Sequence, residues 1–328
     1  MKDWDRVHDE IGKLIEEGVI WGASYGFVRE GELSSFYRGV QGAVKPWSER
    51  ALGPGMFYDL ASLTKVTGTA VRILQLIQEG KLEFSTPVQA VLKRFSQPEI
   101  KVENLLLHNS GLPAEIPDKA SLTADNIRDR LYETRPEAAP GERYCYSDPG
   151  FMLLGLMVEE LDGTSLDESY RKHIFGPLGL NQTSYHPKGE MGQFIPEEHT
   201  QERGWICGEV HDSKAYLMGE SGSAGLFSTL DDMLHFVKAW LNQDERLISR
   251  ELFEKVEHTC QSDRTYGWGV EYGPGTLYHS GFTGTSILMD VETGEGLVLL
   301  TNRIHPSREN VEFLDRRKRI NRLWLGKN

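Results

Sequence analysis

A serine and a lysine lie three residues apart in the stretch DLASLTKVTGTA, residues 59–70. Residues with this spacing share one face of a helix, so the Ser62 hydroxyl and the Lys65 amine would be neighbours there. Apolar residues recur at helical spacing from this point to Ile77, and Gly80 is a typical helix stop. A hydroxyl at a helix N-terminus, beside an amine, is a candidate nucleophile for covalent catalysis.

The same spacing occurs again in Ser169 and Lys172, within ESYRKH. This second pair lies among charged residues and does not open an apolar helix, so we interpret it as a surface coincidence. Sequence context, rather than spacing, therefore distinguishes Ser62 and Lys65.

Two further short motifs carry side chains that suit acyl transfer. YCYSDPG contains Tyr146 and Asp148, and YHSGFTGT contains His279 and Gly281. The three motifs follow the order S-x-x-K, Y-x-N (here Y-S-D) and K-T-G (here H-S-G). This order resembles that of the penicillin-recognising serine hydrolases, the superfamily of serine β-lactamases and penicillin-binding proteins. The chain looks most similar to the class C-related branch, which includes DD-peptidases, esterases and β-lactamase-like amidases.

The resemblance extends over most of the chain and is carried by several blocks in family order. These blocks are LLLHNSGLP (105–113), PGERYCYSDPGFMLLG (140–155), IFGPLGLNQTSY (174–185), GSAGLFSTLDDMLHF (222–236) and HSGFTGTSILMD (279–290). Any one block is unspecific, but their joint occurrence identifies the chain as a member of the superfamily.

The resemblance implies a mechanism. Ser62 would attack a carbonyl carbon and form an acyl-enzyme that water hydrolyses, while Lys65 and Tyr146 share the proton handling. Either a neutral Lys65 or a Tyr146 phenolate could be the base, and the sequence leaves both open. The backbone N–H groups of Ser62 and Phe282 would form the oxyanion hole, with Ser280 on the same substrate-binding strand.

Two residues depart from the family pattern. Asp148 stands where an Asn is usual, and an ionised carboxylate only accepts hydrogen bonds. We expect Asp148 to orient Lys65 or to meet a donor on the substrate, and to keep Lys65 protonated, which favours Tyr146 as the base. His279 stands where a Lys is usual. We expect His279, together with Gly281, to contact the substrate, to titrate near neutrality, and to bind a β-lactam carboxylate more weakly than Lys would.

The elements that must position these motifs predict an α+β fold. A hairpin is predicted around REGE (29–32), helices over 150–163 and 229–243, and an antiparallel meander of YGWGVEY, TLYHSG, TSILMDV and GLVLLTN before a final helix. This pattern fits a β-lactamase/transpeptidase-like fold, with an antiparallel sheet flanked by terminal helices and an all-helical lobe. We predict one catalytic domain over 1–328, with a sheet lobe (1–58 and 245–328) and a mainly helical lobe (59–244) on either side of the site.

Composition excludes several other classes of protein. The formal net charge is −13, which argues against a nucleic-acid partner. We interpret the basic run RRKR (316–319) as the solvated face of the closing helix. The three cysteines form no CxxC pair, and the adjacent His211 and Asp212 do not face one ion unaided, so no metal or other cofactor is predicted.

The start of the chain is acidic and amphipathic, without the apolar core of a signal peptide, and no stretch is long and apolar enough to cross a membrane. These features predict a cytoplasmic location and no membrane partner. The oligomeric state stays open.

The predicted function is a serine hydrolase that acts on an ester or amide: a peptide, a peptidoglycan fragment or a carboxylic ester. Two alternatives stay open. One is an intracellular muramoyl-peptide amidase of cell-wall recycling, although this chain has Ser223 in GSAG where such relatives tend to show GHAG. The other is a catalytically weak penicillin-binding module. An α/β-hydrolase is disfavoured because its G-x-S-x-G motif is absent.

Overall fold

The computed structural model describes residues 4–327, so the ends of the predicted domain, residues 1–3 and 328, lie outside the described residues. The strands are β1 (Gly22–Arg29), β2 (Glu32–Gly39), β3 (Tyr58–Asp59), β4 (His199–Thr200), β5 (Gly204–Trp205), β6 (Phe227–Ser228), β7 (Thr276–Ser280), β8 (Ser286–Asp290) and β9 (Glu295–Thr301). The helices are α1 (Trp4–Glu16), α2 (Ala70–Gln78), α3 (Val88–Val91), α4 (Val102–Leu106), α5 (Ile127–Glu133), α6 (Asp148–Asp162), α7 (Leu166–Tyr170), α8 (Gly176–Leu178), α9 (Ser213–Met218), α10 (Leu230–Leu241), α11 (Arg250–His258) and α12 (Glu312–Trp324).

Both ends of the chain build one antiparallel sheet, in the order β2-β1-β9-β8-β7. Helices α1 and α12 pack together, and their apolar residues form one core with residues of β1, β8 and β9. Helix α10 packs against β1 and β9, where a Cβ added at Gly26 would lie 2.7 Å from Leu234. The α+β class and the terminal helices are thus as expected, whereas the lobe boundaries stay a prediction.

The predicted hairpin is confirmed. Strands β1 and β2 pair from Gly22 opposite Gly39 to Arg29 opposite Glu32. The connecting residues Glu30 and Gly31 both have positive φ, which is the two-residue turn that matches the twist of a hairpin.

The predicted meander is only partly present. TLYHSG, TSILMDV and GLVLLTN form β7, β8 and β9, but YGWGVEY does not form a strand. Its backbone has a φ of +89° at Gly267, and the residue that follows this segment, Gly273, has a φ of +113°, so only isolated bridges from Gly269 to Arg264 and to Tyr278 remain. Glycines that adopt positive φ turn the chain away from an extended path.

The helix predicted to begin near Ser62 is interrupted. A 3₁₀ turn (Ala61–Leu63) and a π-helical turn (Lys65–Thr69) precede α2. In the π turn, Gly68 lies so close to Tyr170 that an added Cβ would be 2.5 Å from its ring. Such π turns are frequent at functional sites.

The two longer helices predicted in the middle of the chain are confirmed as α6 and α10. Ser147 caps α6 by accepting the Gly150 N–H at 3.2 Å, and Gly163 ends it with φ +68°. Thr229 caps α10 by accepting the Asp232 N–H. Within residues 4–327, no helix has both the length and the apolar character that crossing a bilayer requires.

Two expectations about exposure were wrong. Ser169 is buried, because α7 turns it inward and its hydroxyl donates to Asp162 at 2.7 Å. The final helix is confirmed as α12, but its basic run is not wholly solvated. Arg317 is buried beneath β7, and its guanidinium donates to the Thr285 carbonyl at 3.2 Å.

Candidate active site

Ser62 lies on the 3₁₀ turn, between β3 and the π turn, where its side chain is partly exposed to a cleft. The preceding residue, Ala61, has φ +46°, an uncommon conformation for a residue other than glycine. Such outliers often occur at functional sites, and this one fixes the direction in which the chain enters the serine.

Lys65 is fully buried, and its ammonium has three oxygen neighbours. The Nζ atom donates to the Ser62 hydroxyl at 3.0 Å and to the Ser223 carbonyl at 2.7 Å, and it lies 2.8 Å from an Asp148 carboxylate oxygen. Burial alone would lower the pKa of Lys65, but Asp148 and Tyr146 together outweigh it, so the pKa is raised above its ordinary value. Lys65 is therefore a cation in the resting site.

Asp148 lies between two lysines. Its second carboxylate oxygen is 3.2 Å from the Nζ atom of Lys214, which also pairs with Glu115 at 2.6 Å and with Asp212 at 3.2 Å. Burial opposes ionisation of Asp148, yet the two lysines lower its pKa to about 2. The orienting role expected for Asp148 is consistent with this geometry. Sequence reasoning missed Lys214 and Glu115, which lack any local motif.

Tyr146 borders the same cleft, and its ring centroid lies 5.0 Å from the Lys65 ammonium. The other face of the tyrosine stacks on His108, with centroids 4.5 Å apart and ring planes at 28°. His108 accepts the Ser147 N–H at Nδ1, and burial together with Lys65 holds its pKa well below the ordinary value. The neutral imidazole is thus a platform for Tyr146, a role that the sequence did not suggest.

The edge of strand β7 packs against the 3₁₀ turn that contains Ser62. A Cβ added at Gly281 would lie 2.4 Å from the Leu60 carbonyl and 2.1 Å from the Thr285 hydroxyl, so only glycine permits this approach. The next N–H, that of Phe282, has no acceptor among the described residues. It is free to donate to a substrate oxygen, as expected for the oxyanion hole. Ser280 lies on the same edge and lines the cleft.

His279 lies beside Tyr146, with ring centroids 6.2 Å apart, but it is only 3% exposed. Burial, with the cations Arg264 and Lys65 nearby, lowers the pKa of His279 well below its ordinary value. The expectation that His279 titrates near neutrality was therefore wrong, because the fold removes the imidazole from water and surrounds it with positive charge. The residue is neutral at physiological pH.

Arginines supply the positive charge that His279 lacks. Arg264, Arg303 and Arg317 line a cleft of about 440 Å³ that also contains Ser62. Arg303 donates to the Phe282 carbonyl at 2.5 Å, and Arg317 reaches only backbone carbonyls among its hydrogen-bond partners within residues 4–327. Burial and the neighbouring arginines lower the pKa of Arg303 to about 10. Apart from the basic run that contains Arg317, no pattern in the sequence indicated this cluster.

A second cavity, of about 360 Å³, lies on the other side of Ser62. Ser62, Tyr146 and Phe282 line both cavities, whereas Glu115 and Asp212 line only the second. The two cavities thus form one cleft that meets at Ser62. The half on one side of Ser62 is cationic, and the half on the other side has mixed charge. The structure brings Ser62, Lys65, Tyr146 and His279 together, as the sequence led us to expect.

The other polar residues flagged in the sequence have structural contacts. His211 stacks on Phe282 at 5.4 Å and bonds Glu198 at 2.7 Å, and Asp212 caps α9. Among residues 4–327, no group of three or more His, Cys, Asp or Glu side chains could hold a metal ion. Cys145, Cys207 and Cys260 are free thiols.

Comparison with known proteins places this geometry in context. The Beta-lactamase family model matches residues 7–319. The chain is 30% identical to an N-acetylmuramyl-L-alanine amidase of Bacillus subtilis (strain 168), over 89% of this chain and 76% of the amidase. A candidate D-alanyl-D-alanine carboxypeptidase of Escherichia coli O157:H7 is also 30% identical, over 82% of this chain and 76% of that protein. Among solved structures, a mutant class C beta-lactamase superposes with a TM-score of 0.77 and 19% identity, over 98% of this chain and 96% of that one.

Proposed function

This chain belongs to the beta-lactamase family and is a serine hydrolase, and we propose that it cleaves a carboxylate-bearing amide or ester through an acyl-enzyme on Ser62. The observation that carries the proposal is the contact of Lys65 with both Ser62 and Asp148, at 3.0 and 2.8 Å, inside a cleft that continues to both sides of the serine. A nucleophile with room on both sides can hold the acyl part and the leaving group of one substrate.

Tyr146 is the general base in this scheme. The Lys65 ammonium already donates toward three oxygens, so it has no lone pair with which to accept the serine proton. The Lys65 ammonium lies 5.0 Å from the tyrosine ring, so its positive charge is close to the negative charge that the Tyr146 oxygen carries in this scheme. The phenolate takes the Ser62 proton as Oγ bonds to the carbonyl carbon.

The backbone stabilises the charge that develops on the carbonyl oxygen. The N–H groups of Ser62 and Phe282 donate to this oxyanion, and donors of this kind are each worth about 3 kcal/mol in the transition state. The tetrahedral intermediate collapses as Tyr146 returns the proton to the leaving group. Water then enters and gives a proton to Tyr146 as its oxygen bonds to the acyl carbon. Tyr146 passes this proton to Ser62 Oγ as the Oγ–C bond breaks, which releases the acid and restores both side chains.

The arginine-lined half of the cleft supports an anionic substrate. Arg264, Arg303 and Arg317 face this half with only one lining carboxylate, Glu271, in a chain whose net charge is −13. Because His279 is neutral, the positive charge that would bind a carboxylate comes from these arginines rather than from β7.

A peptidoglycan-derived peptide fits this requirement. The two curated relatives are named for D-alanyl-D-alanine and for N-acetylmuramyl-L-alanine, and both names denote amide bonds to alanine. A muramoyl-peptide amidase is the second candidate, favoured by the similarity to the amidase over 89% of this chain.

The test compares four substrates under one condition: a peptide ending in D-alanyl-D-alanine, a muramoyl-L-alanyl peptide, nitrocefin and a p-nitrophenyl ester. We expect turnover of at least one of the two peptides, with a higher kcat/KM than for the neutral ester, and loss of turnover in Ser62→Ala. Ser169→Ala is the matched control, since it removes the serine of the other S-x-x-K pair. Permanent adducts without turnover would identify a penicillin-binding module instead, and hydrolysis that persists in Ser62→Ala would overturn the proposal.

A further inference from the structure

One buried carboxylate joins two walls of the cleft. Asp59, on β3, is 3% exposed, and its two oxygens accept different backbone N–H groups. Oδ1 accepts the N–H of Ala61 at 2.7 Å, and Oδ2 accepts the N–H of His211 at 2.8 Å. The first bond is made to the 3₁₀ turn that contains Ser62 (Ala61–Leu63), which we call the nucleophile turn. The second is made to the segment that leads into α9 and Lys214.

The backbone of residues 59 and 60 also contacts the connection between β7 and β8, which contains Phe282. The Asp59 carbonyl accepts the Thr283 hydroxyl at 2.8 Å, and the Leu60 carbonyl accepts the Thr285 hydroxyl at 3.0 Å. Residues 59 and 60 therefore hold the nucleophile turn in register with the Phe282 N–H.

The Asp59 side chain compensates for an unfavourable conformation. Ala61 has φ +46°, and a left-handed conformation costs about 1 kcal/mol for a residue with a Cβ. The bond from the Ala61 N–H to a carboxylate two residues earlier is the type that stabilises such turns. Because Ser62 follows directly, the conformation of Ala61 sets the direction of the Ser62 N–H and side chain.

The charge on this carboxylate is set by its surroundings. Burial raises the pKa of Asp59 to about 6, against the two N–H donors. Glu197 lines the same small cavity, of about 10 Å³, and burial together with Asp59 raises its pKa well above the ordinary value. Asp212 and Arg203 are the other charged groups that act on Asp59. Burial thus disfavours the charge on both carboxylates, while the N–H groups of Ala61 and His211 favour the charge on Asp59.

We propose that Asp59 is a positioning residue for acylation: its carboxylate, bonded to Ala61 and His211, fixes the nucleophile turn so that Ser62 points into the cleft. The inference rests on the proposed role of Ser62 as nucleophile. An asparagine at position 59 could accept only one of the two N–H groups, because its amide nitrogen would face the other donor.

The experiment measures the rate at which a fluorophosphonate labels Ser62, by intact mass, together with kcat and KM for the best substrate. Asp59→Asn is expected to lower the labelling rate and kcat about 10- to 100-fold, with KM within about 2-fold, since small displacements of a nucleophile have such effects. Tyr58→Phe is the matched control. It removes a buried hydrogen bond, to Ser24 at 2.8 Å, from the neighbouring residue, and it is expected to label within about 2-fold of the wild type.

A second comparison covers the case in which Asp59→Asn does not fold. Glycine adopts positive φ without strain, so the double variant Asp59→Asn/Ala61→Gly tolerates the loss of the Ala61 contact. It is expected to be labelled at least about 5-fold more slowly than Ala61→Gly alone, because the amide still accepts only one of the two N–H groups and the link between them is broken. Equal labelling of these two variants, or equal labelling of wild type and Asp59→Asn, would overturn the role of Asp59. A wild-type protein that is not labelled at Ser62 would instead overturn the proposed function.

Discussion

The Lys65 ammonium lies 2.8 Å from an Asp148 carboxylate oxygen; Lys65 is fully buried, and Asp148, with 16% of its side chain exposed, lines the cleft. Asp148 stands where the family pattern has an Asn, so a carboxylate rather than an amide faces the lysine. It favours the charged form of Lys65 while Lys65 contacts Ser62, which supports our proposal that Tyr146 accepts the serine proton.

Replacing Asp148 by Asn is expected to lower both the free energy of unfolding and the catalytic rate. The variant leaves Lys65 and Lys214 without their shared carboxylate, and loss of one partner from a buried ion pair costs about 3 kcal/mol. Urea unfolding measures this difference in the free energy of unfolding. We expect kcat to fall about 10-fold because the lysine that supports Tyr146 is no longer held in place. A variant as stable and as active as the wild type would contradict the role of the ion pair.

Stability should depend on pH through the same carboxylate. The pKa of Asp148 is about 2 in the folded protein and 3.8 as its ordinary value, so the unfolded chain binds the proton more tightly. The stabilisation is complete above pH 3.8 and is lost as the pH falls toward 2. Its size is about 2 kcal/mol, from 1.36 kcal/mol for each pH unit between the two pKa values. The measurement is the difference in unfolding free energy between wild type and Asp148→Asn, from pH 6 to the lowest pH at which both fold. If the difference in unfolding free energy stayed constant over this pH range, the low pKa of Asp148 would be contradicted.

His279 should not shape the pH profile of activity. Its pKa is held well below the ordinary value, so the imidazole is neutral throughout pH 5.5–8.5. We expect His279→Gln to change kcat/KM by one factor at every pH in this range. A wild-type inflection near pH 6.5 that disappears in His279→Gln would show that the imidazole titrates in the working range after all.

Arg264 should matter for anionic substrates only. It lines the cationic half of the cleft, where its guanidinium lies 5.3 Å from the Tyr144 ring and 4.0 Å from the Glu271 carboxylate. Arg264→Gln is expected to raise KM about 10-fold for a peptide that carries a carboxylate, since a charge-assisted hydrogen bond is worth about 1.5 kcal/mol or more. The KM for a neutral p-nitrophenyl ester should stay within about 2-fold. Arg319→Gln, an exposed arginine of α12, is the control for a general effect of charge. Equal changes in KM for both substrates would count against an anion-binding role.

Local patterns in the sequence predicted much of the framework. The hairpin turn at Glu30 and Gly31 and the apolar periods of α6 and α10 each depend on neighbours within a few residues. The site motifs were also recognisable, because each lies in a short segment and the resemblance supplied their order.

Long-range effects could not be predicted in the same way. Lys214 and Asp148 are 66 residues apart in the chain, and no sequence pattern near either residue indicates that they are in contact. His279 and Arg317 are both buried, and this burial depends on how the helices and strands pack rather than on residue type. The π turn at 65–69 likewise depends on packing against Tyr170.

The central claim is that Ser62 becomes covalently acylated during turnover. The most direct measurement is rapid-quench intact-mass spectrometry with the best substrate, followed by proteolysis to locate the adduct. We predict a transient mass increase equal to the acyl group on the peptide containing Ser62, and neither adduct nor turnover in Ser62→Ala. Turnover that continues undiminished in Ser62→Ala, or an acyl group found on another residue, would contradict the account.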